Sequence, residues 1–154
     1  MELVALMLQS LATAKAEEIR AAISYLEETI KQDGLDLGPE SCPVQHFFAP
    51  GSYAREITMP EGTVVIGKIH RHAHINVVSK GRVRVLTYEG VQEYTAPCTF
   101  VSTPGTKRLV LMLEDTVWTT VHVTDKTDLA EIEREVIAQD YESLELSGDC
   151  RRLQ

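Results

Sequence analysis

Between residues 3 and 32 the apolar positions Val4, Leu8, Leu11, Ile19, Ile23, Leu26 and Ile30 recur at intervals of three, four and eight, with Ala12 and Ala16 in the gap. This follows the helical period of about 3.6 residues and predicts one long amphipathic helix. Asp33-Gly34 ends it, since glycine accepts the left-handed conformation beyond a last turn. Residues 35–52, rich in Gly and Pro and including Cys42-Pro43, read as an irregular connector. From Tyr53 to Thr124 the period becomes two, with Val, Ile, Thr and Tyr prominent and turn signals at Pro60-Glu61-Gly62, Ser79-Lys80-Gly81, Glu89-Gly90, Pro104-Gly105 and Glu114-Asp115. The pattern predicts strands near 53–59, 63–69, 73–79, 82–88, 91–95, 99–102, 107–113 and 116–123, arranged as an antiparallel sandwich or barrel. Asp128 with Glu131 three residues later offers a capping box for a second, short helix, whose stripe is Leu129, Ile132, Val136 and Ile137. After Tyr141 no pattern is sustained, which suggests a loosely attached tail.

Four segments follow: a packing or oligomerising helix at 1–34, the connector at 35–52, the β region at 53–124, and the helix and tail at 125–154. A length of 154 residues with 44% hydrophobic side chains suits one core and excludes a disordered tail. The net charge of −8 argues against nucleic acid and anionic membranes as partners. It is unevenly spread, because residues 1–40 hold 3 basic and 8 acidic side chains, 41–126 hold 9 and 7, and 127–154 hold 3 and 8. The middle part is therefore mildly positive, and all five histidines fall within it.

Cys42, Cys98 and Cys150 show no CxxC spacing and point to neither a disulfide framework nor a cysteine metal site. Cys98 reads as a small buried residue. The apolar start MELVALMLQSLATAKA lacks the basic residue that opens a signal peptide and continues as amphipathic helix, so a cytoplasmic protein is expected.

The stretch Lys68-Ile69-His70-Arg71-His72-Ala73-His74-Ile75-Asn76 carries the most chemistry. On one continuous strand, Lys68, His70, His72, His74 and Asn76 would share a face. Alternate imidazoles can converge on one ion. The competing reading is a solvated strand edge or a metal-free polar pocket.

Together with Pro60-Glu61-Gly62 before it, Lys80-Gly81 after it, and Ser102-Thr103-Pro104-Gly105-Thr106-Lys107-Arg108 downstream, this stretch resembles the two motifs of the cupin superfamily, the small jelly-roll barrels. The resemblance covers about residues 53–124 and implies a mainly β, cupin-like antiparallel jelly-roll barrel flanked by the long N-terminal and short C-terminal helices. With Gly81 as the glycine of the first motif, the metal-ligand positions fall on Lys68, His70 and His74, and the second-motif histidine position falls on Lys107 or Arg108. Two of four usual ligands are then histidine and two are basic. Either His70 and His74 are joined by His72 or His122 around a divalent transition metal (Zn, Fe, Ni or Mn), or cationic side chains replace the ion. In the second case Lys68, Lys107, Arg108 and Arg55, with the histidines, would bind an anion. The layout also resembles small cupin-like proteins of tailed phages, which implies host cytoplasm or virion as location.

Tyr53 and Arg55 alternate on the first strand and could face the barrel interior. Trp118 reads as core more than as ligand platform. Glu114-Asp115 reads as a solvated turn, Glu56 or Glu114 would serve as a base only if the fold brought one to the histidines, and His46 has no evident site role. No phosphate-binding loop, Gly-x-Ser-x-Gly or His-Glu-x-x-His is present. Three functions are therefore expected to compete: a metal-binding cupin acting on a small organic acid or sugar, a metal-free module for an anionic small molecule such as a nucleotide or sugar phosphate, and a structural or assembly protein. Apolar faces on both helices suggest a homo-oligomer.

Overall fold

The computed structural model describes residue 6, residues 9–32 and residues 41–146. In chain order the elements are α1 (Ala16–Gln32), β1 (Val44–Ala49), β2 (Ser52–Met59), β3 (Val64–Ile66), β4 (Ile69–His70), β5 (His74–Lys80), β6 (Arg82–Thr87), β7 (Gly90–Thr95), β8 (Cys98–Ser102), β9 (Leu109–Met112), β10 (Thr116–Val123), α2 (Leu129–Val136), β11 (Ile137–Ala138) and α3 (Tyr141–Leu146). The strands expected from period-two alternation are present, with two differences. The segment read as a connector contains β1, and the strand expected over 63–69 breaks at Gly67-Lys68.

Pairing is antiparallel throughout, in sheets ordered β1-β2-β10-β5-β8 and β3-β9-β6-β7, plus the small pair β4-β11. The two large sheets pack face to face rather than closing into one barrel. Met59, Val78 and Trp118 of the five-stranded sheet meet Val83, Val85, Val110 and Met112 of the four-stranded sheet. The barrel stays open because β4, after the break at Gly67-Lys68, pairs with β11 instead of extending β3.

The N-terminal helix is shorter than its periodicity predicts. Leu11–Thr13 form a single 3-10 turn, Ala14 is extended (φ −74°, ψ 155°), and α1 begins at Ala16. The break lies in the eight-residue gap between Leu11 and Ile19, where no large apolar side chain favours continuing the helix. Glu18 then accepts a hydrogen bond from the Lys15 N–H at 2.9 Å, which is half of a capping box and starts a new helix. Val4, Leu8 and Asp33-Gly34 lie outside the described residues.

The helix α1 packs on the outer face of the four-stranded sheet, where Ile19 and Ile23 meet Leu86, Leu109 and Leu111. Consequently β9 is buried on both faces, which is why Leu109–Met112 reads as an unbroken apolar run. An ion pair between Lys107 and Glu27 fastens the helix to the loop before β9.

Asp128 caps α2 as expected, accepting from the Glu131 N–H at 3.0 Å. Ile132 and Val136 bury against Tyr53. The segment expected to be a loose tail is attached as far as Leu146. Leu144 packs with Ile69 and Ala138, and Arg20 lies over the Tyr141 ring at 5.1–5.2 Å from the Tyr88 and Tyr141 centroids. Within the chain, Ile19 and Ile23 of α1 and Ile132 and Val136 of α2 are covered, whereas Leu129 of the α2 stripe stays exposed. The large apolar side chains left exposed on β1, β5, β8 and β10 are Phe47, Phe48, Ile75, Val101 and Val123. No described helix is long and apolar enough to cross a membrane.

Gly81, the turn between β5 and β6, has φ +88°, and a Cβ there would sit 2.5 Å from the Asp115 carbonyl oxygen and 2.9 Å from the Thr116 Cα. Gly90 has φ +113° with open space around it. Gly81→Ala is therefore expected to lower unfolding free energy by at least about 2 kcal/mol, and Gly90→Ala by about 1 kcal/mol from strain alone. Urea denaturation of the two variants checks this. Equal losses would contradict the close approach at Gly81.

Candidate functional site

Register decides which side chains face inward. Across the five-stranded sheet, Tyr53 pairs with His122, Arg55 with Thr120 and Ile57 with Trp118, while Thr120 and Trp118 pair on their other side with Asn76 and Val78. Directly paired residues share a face, so these rows line one interior wall. They change in character along the strands, from apolar at Met59, Ile57 and Trp118, through Arg55, Thr120 and Asn76, to Tyr53, His74 and His122. The opposite side contributes Val65, Arg108, Val110 and Met112, and α2 covers the histidine end with Ile132 and Val136. Together they enclose a cavity of about 420 Å³.

At its histidine end the ring centroids of His70 and His74 are 4.1 Å apart, those of His70 and His122 5.2 Å, and those of His74 and His122 5.0 Å. His70 arrives from β4, whose carbonyl accepts from the Gly105 N–H at 2.8 Å and which pairs with Ile137 of β11. The Arg71 side chain holds the same junction, its Nε donating to the Ile137 carbonyl at 3.0 Å. His74 Nδ1 lies 3.1 Å from the His72 carbonyl oxygen. A carbonyl only accepts, so Nδ1 carries the proton and Nε2 is left as a bare lone pair. That Nε2 and the Nδ1 of His70 are both buried without a hydrogen-bond partner.

All three imidazoles are held neutral. Burial, then the neighbouring His74, His122 and Arg108, push His70 down to about 2, opposed by a hydrogen bond to the Lys68 backbone. Burial, His74, His72 and Arg55 push His122 down to about 4. Burial also lowers His74, reinforced by Arg108 and opposed by its hydrogen bond to the His72 carbonyl.

Of the expected residues, His70, His74, His122, Lys68, Arg55, Tyr53, Arg108 and Trp118 line this cavity. His72 does not join them. The chain bends over residues 71–73, so the strict alternation of one continuous strand is lost and the His72 side chain is exposed. Lys107 also lies outside the cavity, drawn to Glu27 on α1. Lys68 stands at the rim with its side chain 63% exposed and pairs with Glu133 of α2. Trp118 is both core and wall, being 6% exposed and donating from Nε1 to Asn76 Oδ1 at 3.0 Å. Glu56 bonds Thr119 at 2.9 Å and Glu114 pairs with Arg82, so neither lines the cavity. Cys98 is half-buried rather than fully buried, Cys42 is buried, and both are free thiols. Cys150 lies outside the described residues.

His46, Asn76 and Glu133 line the cavity without having been singled out as site residues, and Ser102 lies behind it, bonded to two lining residues. His46 sits on the unexpected β1, opposite Arg55, with Nδ1 2.8 Å from the Tyr53 hydroxyl. Asn76 donates from Nδ2 to Ser102 Oγ at 2.6 Å, and Ser102 also accepts from Arg108. The inward alternation of β5 carried the signal for Asn76, whereas that for Ser102 lay in the loop motif.

No protein-family model matches the chain, and no curated protein matches it in sequence. Solved structures do. Ectoine synthase from P. lautus superposes with a TM-score of 0.52 at 12% identity, over 65% of this chain and 75% of that one. KdgF from Halomonas sp. gives 0.50 at 20% identity, over 60% and 87%. An RmlC-like cupin from Shewanella frigidimarina NCIMB 400 gives 0.49 at 18%, over 60% and 83%. The chain has the cupin-like fold of the first two. Identities this low speak for the fold and not for a reaction, and none of these neighbours ties the chain to phage proteins.

The fit of this cupin-like cavity to a metal ion is mixed in geometry and good in chemistry. Three imidazoles around one tetrahedral ion would have centroids about 5 Å apart, given Zn–N bonds of about 2.0–2.1 Å. Two of the three pairs match, and the His70–His74 pair is too close. As the side chains stand, no group of three or more His, Cys, Asp or Glu among the described residues is arranged to hold an ion. The donors themselves are suitable: neutral rings, two orphaned buried nitrogens, and one tautomer fixed by a backbone carbonyl.

Because the three pKa values are lowered in the folded state, the unfolded chain binds more protons below the ordinary histidine value near 6.5. The neutral rings are therefore no handicap above about pH 6.5, and stability falls as pH drops through that value toward the folded values. Each histidine costs about 1.4 kcal/mol per pH unit there. Urea unfolding of metal-free protein is expected to show a marked loss between pH 7.5 and 5, reduced in His122→Gln. A flat profile would contradict the buried neutral cluster.

Proposed function

We propose that the chain is a small-molecule-binding protein of cupin-like fold in which His70, His74 and His122 hold a divalent transition metal in the cavity wall. The observation that supports this most is the pair of orphaned buried nitrogens on His70 and His74, beside the equally buried His122. A buried imidazole nitrogen with no hydrogen-bond partner has lost its hydrogen bond to water, at about 1–3 kcal/mol for each unsatisfied nitrogen. A cation that accepts these lone pairs removes that cost. An all-imidazole donor set suits Zn, Fe or Ni better than Mn, which favours carboxylate and water.

When bound, such an ion supplies Lewis-acid polarisation of a ligand oxygen in the cavity. The chain's own residues do the rest. The His72 carbonyl orients His74, the β4-β11 pairing fixes the backbone of His70, and the Tyr53 ring, 6.2 Å from that of His122, stacks beside it. Ile132 and Val136 of α2 keep water from the histidine end.

Cobalt(II) or zinc titration of protein stripped with chelator is expected to give one site per chain. His70→Ala, His74→Ala and His122→Ala each weaken it at least about 100-fold, whereas His72→Ala, whose side chain is outside the cluster, leaves it within about threefold. Loss of binding in His72→Ala with the other three unaffected would overturn the ligand set, and absence of binding in the unaltered chain would overturn the metal.

A further inference from the structure

The cavity holds more positive charge than its neutral histidines account for. Its lining includes Arg55, Arg108 and Lys68 against a single carboxylate, Glu133, and Glu133 is taken by Lys68 at the rim. That pair cancels itself and leaves the two guanidinium groups. Neither has a carboxylate within salt-bridge distance among the described residues. Arg108 is half-buried; the one hydrogen-bond acceptor it finds is the neutral Ser102 oxygen, and the Phe100 ring centroid lies 5.7 Å from its guanidinium carbon. A guanidinium has five N–H donors, so most of those on Arg108 are unused by protein. Burial has lowered its pKa, against the weaker pull of Tyr94 and of Glu89, an exposed carboxylate that is not within salt-bridge distance. Arg55 makes no hydrogen bond to the described protein.

A half-buried cation with no carboxylate in salt-bridge distance among the described residues is costly, and its position needs a reason. The Trp118–Asn76–Ser102 hydrogen-bond chain supplies a positional one, since it ends on Arg108, which lines both the cavity and a smaller pocket bordered by Ser102, Phe100, Tyr94 and Glu89. It supplies no counter-charge. The neighbouring wall is apolar, formed by Ile57, Met59, Met112 and Trp118.

We propose that the cavity binds a small organic carboxylate, its carboxyl group held by Arg108 and Arg55 and its hydrocarbon part against Trp118, Met59 and Met112. The planar fork of a guanidinium matches a carboxylate with two parallel hydrogen bonds. The apolar wall suits a hydrocarbon body, which inorganic phosphate and sugar phosphates lack. This assignment removes Lys68 and Lys107 from the expected anion site, because each already has a carboxylate partner. It rests on reading the cavity as a small-molecule site and does not depend on the metal.

Calorimetric titration of chelator-stripped protein with benzoate, hexanoate, benzamide and inorganic phosphate tests it. Benzoate or hexanoate is expected to bind at least tenfold more tightly than benzamide, the neutral isostere, and more tightly than phosphate. Arg108→Met and Arg55→Met each reduce that affinity at least tenfold, and Arg108→Lys, which keeps the charge but not the fork, reduces it as well. Arg108→Met also melts no lower than the unaltered chain, because it removes an unpaired charge; a merely structural arginine would lower the melting temperature and leave carboxylate affinity intact. Equal binding of benzoate and benzamide, phosphate binding as tight as both carboxylates, or no loss in Arg108→Met would overturn the proposal. Zinc titration of the same Arg108→Met protein separates the two readings. Zinc bound with no carboxylate affinity in the unaltered chain defeats the carboxylate site alone, and carboxylate affinity without zinc defeats the metal alone.

Discussion

The register of β10 between β2 and β5 is the constraint on which the site depends. It sets His122 beside Tyr53, Thr120 between Arg55 and Asn76, and Trp118 between Ile57 and Val78. A slip of one residue would turn this whole set to the outer face. The register is held by more than backbone bonds, since the Trp118 indole donates across strands to Asn76, and Asn76 to Ser102 on β8. The same side chains that fix the pairing also form the middle of the cavity wall. Pairing, packing and site are therefore one arrangement.

That arrangement sets two kinds of group against each other. The arginines and histidines line one cavity, and the cations help to keep the rings neutral, Arg108 acting on His70 and His74, and Arg55 on His122. Neutral rings leave lone pairs free for an electrophile, while the guanidiniums lack a counter-anion. A metal and a carboxylate are complementary answers to these two deficits, and a carboxylate oxygen is itself a ligand for such ions. The one carboxylate among the cavity-lining residues, Glu133, is paired with Lys68, so the proposed counter-charge for the guanidiniums comes from a ligand.

Much of the fold was legible because period-two alternation and glycine-bearing turns are local signals. Gly81 illustrates this, for its positive φ and the Asp115 backbone beside it leave no room for a side chain. What local pattern does not carry is competition between elements. The helical period over residues 3–32 is bridged only by alanines between Leu11 and Ile19, and there Glu18 captures the Lys15 N–H and restarts the helix. His70, His72 and His74 alternate in sequence, yet β4 leaves to pair with β11 and the bend throws His72 outward. His46 was obscured by the Gly and Pro around it, because an edge strand exposed over most of its length has no apolar face to announce it. Lys107 looked available to a ligand until α1 supplied Glu27. His122 was found because it alternates with Trp118 and Thr120 on one strand, and Arg108 because the motif resemblance put a ligand position at Lys107 or Arg108.

The central claim is that His70, His74 and His122 form one ion site in the wall of the cavity. Anomalous diffraction at the zinc absorption edge, from crystals of zinc-loaded protein, tests it most directly. The account predicts one strong peak within bonding distance of the three imidazoles, with the His70 and His74 rings moved apart relative to their 4.1 Å separation. A peak at His72 or elsewhere on the surface, with the three rings still in contact with one another, would contradict it.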